Sequence, residues 1–99
     1  MLISINKKSL RKHEITWEQV QETMTDPMRA VFDVYKDEMY KFDDASILRQ
    51  MIVGSTYADV LLEVGVEMIG NEALHIFHAQ KVSPGYRKKY KEWLKNAQA

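Results

Sequence analysis

The chain has 99 residues, 45% of them hydrophobic, which suits one domain over 1–99 with a core of its own. It has no cysteine, which excludes disulfides and thiolate chemistry, and no apolar run near the ~20 residues that a membrane-spanning helix needs. Its net charge of zero hides a strong segregation: residues 1–13 carry +4, residues 14–80 carry −9 and residues 81–99 carry +5.

The first segment, Asn6 to His13, reads as one or two basic helical turns. The N-terminal stretch MLISINKKSLRK has its apolar residues before its bases and no small-residue cleavage site, unlike a secretory leader, and with no cysteine a cytoplasmic protein with no membrane partner is expected. Thr16 and Gln19 then have the spacing of a capping box, and Ile15 and Val20 are placed to staple the same helix start. Trp17, Val20 and Met24 continue the helical period until Asp26-Pro27, where the residue before proline leaves the helical region.

From Met28 the period changes to two. Ala30, Phe32 and Val34 form one face of a strand, and Lys36–Glu38 and Phe42-Asp43-Asp44 are polar breaks. Ile47 to Val53 is a second strand, ended by Gly54-Ser55-Thr56. Val60, Leu62, Val64, Val66 and Met68 mark a third, with Glu63 and Glu67 on a face left to solvent or ligand. Gly70-Asn71-Glu72 suits a hairpin turn before a fourth strand, Ala73 to Ala79. Ser83-Pro84 then opens a last helix to about Asn96, with Tyr86, Tyr90 and Trp93 on one stripe. The expectation is an α+β fold: two N-terminal helices, a four-stranded antiparallel sheet and a C-terminal helix, the helices against one sheet face.

The stretch Leu10-Arg11-Lys12-His13-Glu14-Ile15-Thr16-Trp17-Glu18 resembles the signature that opens the BrnT toxins, small RelE-like ribonucleases of bacterial toxin–antitoxin modules. Asp26-Pro27, Ile52-Val53-Gly54 and Leu61-Leu62-Glu63-Val64-Gly65-Val66 follow in that family's order, as do His75–Val82 and Tyr86-Arg87-Lys88-Lys89-Tyr90. The resemblance spans roughly residues 5 to 93. Where the family has two arginines and a serine in its fourth strand, this chain has His75, Gln80 and His78. The resemblance implies a RelE-like fold, RNA as substrate, and a small DNA-binding antitoxin in a hetero-oligomer. A homodimer is open as well. The departures leave open a second function, an eroded fold that binds RNA or a protein without cleaving it.

Metal-free RNA cleavage needs a base for the 2′-hydroxyl proton, positive charge for the phosphate oxygens and an acid for the leaving 5′-oxygen. Histidine suits the first and third roles, lysine and arginine the second. Lys12 and His13 end the first helix, and Lys81 and Arg87 flank the start of the last; with His75 they are the catalytic candidates. Lys8, Arg11 and Lys88 are candidates for holding the RNA backbone. Phe77 is expected on an open sheet surface beside His75 and Lys81, where it could stack a base. Tyr90 is either a further RNA contact or core packing, and His13 either a proton-transfer group or a helix C-cap. His75 and His78, three apart on a strand, are expected on opposite faces, which makes them poor joint metal ligands, so no metal or other cofactor is expected.

Overall fold

The computed structural model describes residues 2–34, 47–70 and 72–98. The fold is α+β. In chain order it runs β1 (Leu2–Ile5), α1 (Lys7–Lys12), α2 (Trp17–Thr25), β2 (Ala30–Asp33), β3 (Ile47–Ser55), β4 (Leu61–Ile69), β5 (Ala73–Lys81) and α3 (Pro84–Gln98). The polar breaks at Lys36–Glu38 and Phe42-Asp43-Asp44, and Asn71 of the hairpin turn, lie outside the described residues.

One sheet holds all five strands, in the order β1-β5-β4-β3-β2. The neighbours from β2 to β5 are antiparallel, as expected of a meander. The expected four-stranded antiparallel sheet is nevertheless corrected, because β1 adds a fifth strand parallel to β5, in register from Leu2↔Ala73 to Ile5↔Ile76. Four residues are too few for alternation to declare a strand, and the partner lies 71 positions away. Gly70, at the end of β4, has φ +57°, a conformation glycine adopts without a Cβ penalty.

The α1–α2 connection is tight because both helix ends are capped locally. Beyond α1 the Glu14 amide donates to the Arg11 carbonyl and the Ile15 amide to the Leu10 carbonyl, with Glu14 at φ +57°. This is a Schellman arrangement, and Leu10 and Ile15 supply its apolar contact within one core cluster. Two residues later Thr16 Oγ1 accepts the Gln19 amide at 3.1 Å and Gln19 Oε1 accepts the Thr16 amide at 2.9 Å. Such a cap is worth about 1 kcal/mol. At the far end of α2, Asp26 Oδ1 accepts the Met28 amide and its Oδ2 accepts the Ser55 amide at 2.8 Å, pinning the helix end to β3. Gly54 permits that approach, since a Cβ there would stand 2.9 Å from the Thr23 carbonyl oxygen.

The sheet is buried on both faces. Leu62, Val64 and Val66 of β4 join Ile52, Ile76 and Ala79 beneath Leu10, Ile15 and Val20 of the α1–α2 segment. On the opposite face Ala30, Met51 and Val53 pack with Val82 and Tyr90 of the C-terminal segment. The expectation that all helices share one face is thus corrected: α1 and α2 cover one side, α3 the other. Tyr90 is only 7% exposed; its hydroxyl donates to the Met28 carbonyl at 2.9 Å and its ring stacks on Trp93. Burial, and then the charge of Asp26, push its phenol above the ordinary value.

A β-bulge decides what β5 presents. Gly65 pairs with His78 and Val66 with Ile76, so Phe77 is an extra residue. Ile76 and Ala79, three apart, therefore both reach the core under α1 and α2. His75, opposite Glu67, and His78, opposite Gly65, accordingly share the other face, which corrects the expectation that they point apart.

Candidate functional site

β1 ends opposite Ile76, so beyond that point the outer side of β5 is left to α1, which packs along it. The C-cap of α1 is His13, whose amide donates to the Arg11 and Ser9 carbonyls. Its imidazole stands edge-to-face with that of His78, the ring centres 6.1 Å apart.

His78 is held from the opposite direction by Glu63. The two are diagonal neighbours, since Glu63 pairs with Gln80 and His78 with Gly65. His78 Nε2 lies 3.0 Å from Glu63 Oε2, and Glu63 Oε1 accepts the Ser83 amide at 2.7 Å. Glu63 is 4% exposed, which corrects its expected placement on a solvent or ligand face. Burial by itself pushes this carboxyl up, but the hydrogen bonds from His78 and Ser83 outweigh it and hold Glu63 below its ordinary value. A carboxylate ionised at neutral pH only accepts, so His78 donates to it through Nε2.

A cleft of about 600 Å³ opens between the α1–α2 connection and the ends of β4 and β5; His13, Gln19, Leu62, Gln80 and Lys81 line it, and Glu63 and His78 do not. The structure therefore brings two of the predicted catalytic residues, His13 and Lys81, to one cavity. Lys81 lies opposite Leu62 of β4, away from the face that carries Phe77, which corrects its expected place beside that ring. Lys8, Arg11 and Lys12 are exposed on α1, and Arg87 and Lys88 are exposed in the first turns of α3. The inner ends of the two basic segments thus converge on β4 and β5, one through His13 and the other through Ser83.

His75 is half-buried and sits apart from the cleft, with its Nδ1 2.7 Å from Ser4 Oγ. It belongs to a polar row across four strands, Arg49–Glu67–His75–Ser4, in which Arg49 Nε is 3.2 Å from Glu67 Oε2. Phe77 is half-buried, with its ring over Gly65: a Cβ on that glycine would stand 2.7 Å from Phe77 Cζ. Tyr90, one of the RNA-contact candidates, is placed in the core instead.

Sequence reasoning missed Glu63 and His78 as a pair. The only trace was an acid inside an otherwise apolar strand, and such a residue needs a partner once buried. Which partner it takes depends on the bulge. Among the described residues no group of three or more histidine, cysteine or acidic side chains is placed to hold a metal ion, and no helix is long and apolar enough to cross a membrane. Of known protein families none has a model that matches the chain, and no curated protein sequence matches it.

Proposed function

We propose that this chain is a metal-independent ribonuclease resembling the BrnT-like, RelE-like toxins, acting at the cleft lined by His13 and Lys81. One observation carries the reading: the fold draws a histidine and a lysine from opposite ends of the chain into one cavity. His13 exchanges a proton with a reacting oxygen, and Lys81, with Lys12 next to His13 and Arg87 in the first turns of α3, stabilises charge on the phosphate. Lys8, Arg11 and Lys88 extend the positive surface along the RNA backbone, and Phe77 offers a ring edge to a base. In this reading the acidic middle of the chain receives a basic antitoxin segment, and the protein works in the cytoplasm.

A second reading, a module that binds RNA or protein without cleaving it, is favoured by His75 and Gln80 standing where the resemblance places arginines. The two readings separate when metal-free protein is incubated with a long single-stranded RNA beside a Lys12→Ala, His13→Ala double variant. Cleavage by the parent and not by the variant supports the ribonuclease. RNA that is retained intact by the parent overturns it in favour of the binding module.

A further inference from the structure

We infer that Glu14 is the general base of the cleft, working with His13 as the acid; the inference rests on the ribonuclease reading above and supplies the second proton-transfer group that reading needs. Three features point there. First, Glu14 lines the same cavity as His13 and Lys81, and among the described residues around that cavity it is the only acid. Consecutive Cα atoms lie about 3.8 Å apart, so two neighbouring side chains can serve the two oxygens that flank one phosphorus. Second, the backbone at this position disfavours the residue it carries. Glu14 follows the His13 cap of α1 at φ +57°, the left-handed position of the Schellman turn, which glycine usually fills because a Cβ is disfavoured there. Third, nothing in the fold offsets that strain: Glu14 is exposed, and among the described residues its carboxylate takes part in no hydrogen bond or ion pair. A side chain held against backbone preference, with no structural partner and at the wall of a cleft, belongs with the strained residues that gather at reacting sites.

The roles follow from the chemistry of the two groups. An ionised carboxylate can only accept a proton, whereas an imidazole can arrive carrying one. Glu14 takes the proton of the 2′-hydroxyl as the 2′-oxygen bonds to phosphorus. The bond from phosphorus to the 5′-oxygen breaks, and protonated His13 gives its proton to that oxygen while Lys81 stabilises the charge on the phosphate. The products are a 2′,3′-cyclic phosphate and a 5′-hydroxyl end, and exchange with water returns both side chains to their starting forms. The substrate class is RNA carrying a free 2′-hydroxyl at the cleaved position.

The test uses a DNA oligonucleotide with one internal ribonucleotide, beside an all-DNA strand. The parent should cut only after the ribonucleotide and leave cyclic phosphate ends. Glu14→Gly and Glu14→Gln should each lower kcat about 100-fold or more with little change in KM. Glu14→Gly should at the same time unfold at a higher temperature than the parent, because glycine relieves the left-handed backbone. Loss of rate with gain in stability separates a base from a structural residue, whose removal would lower both. Glu14→Asp keeps a carboxylate and should retain more of the rate than Glu14→Gln, and formate added to the buffer should restore part of the rate of Glu14→Gly. A parental kcat in Glu14→Gly or Glu14→Gln, a Glu14→Gly variant less stable than the parent, or a loss that neither formate nor Glu14→Asp relieves would overturn the inference while leaving the ribonuclease standing. A parent that cuts no strand fails the ribonuclease reading itself, and the inference with it.

Discussion

Glu63 and His78 are not opposite one another in the β4–β5 ladder, yet their side chains meet at 3.0 Å because the residue facing His78 is Gly65, which has no side chain to intervene. The folded chain holds Glu63 below its ordinary value, so the folded state binds fewer protons there than the unfolded state at mildly acid pH. The stability this contributes is complete above the ordinary glutamate value of about 4.3 and is lost as pH falls through the lower folded value. Urea midpoints measured from pH 7 down to pH 3 should therefore drop for the parent. In Glu63→Gln the same acid limb should be shallower, and an unchanged limb would remove Glu63 as its source.

Gly65→Ala should be destabilising although glycine sits in mid-strand, where alanine is ordinarily preferred. The new methyl would lie 2.7 Å from Phe77 Cζ and 3.1 Å from His78 Cβ. Overpacking of this kind costs about 1–3 kcal/mol. Denaturation of the variant reads that cost, and a stability equal to the parent would mean the Phe77 ring moves aside freely.

Asp26→Ala should lose about 2 kcal/mol, since it strips the Met28 and Ser55 amides of a charged acceptor. Asp26→Asn tests a different property of the same residue. Burial first, and then the Asp26 charge, raise the Tyr90 phenol, so removing only the charge should move the Tyr90 ultraviolet titration downward. A titration that stays in place would assign the whole shift to burial.

If RNA lies along the basic ends, its retention should weaken steeply with salt, by a slope of about 0.7 in log–log terms for each phosphate neutralised. Lys12→Ala should reduce that slope by about one such unit. Lys81→Ala should do the same, since Lys81 lines the cleft. A flat response to salt would leave the basic ends without a role in binding.

Much of the architecture was legible in local sequence, for local reasons. Thr16 and Gln19 make their reciprocal bonds within one helical turn, Asp26-Pro27 stops α2 by backbone sterics, and strict alternation marks β4. The tertiary structure alone decided the rest. Whether Leu2–Ile5 is a strand depended on a partner 71 residues away, and the side of the sheet on which α3 lies depended on Val82 and Tyr90 packing with Ala30, Met51 and Val53. The site follows the same division. Residue types at the chain ends announced basic groups and histidines, but periodicity cannot reveal a bulge. One extra residue at Phe77 turned His78 onto the face of His75 and Glu63 and within 6.1 Å of His13. A strand's side-chain directions depend on its pairing as well as its own order, and pairing is a property of the folded chain.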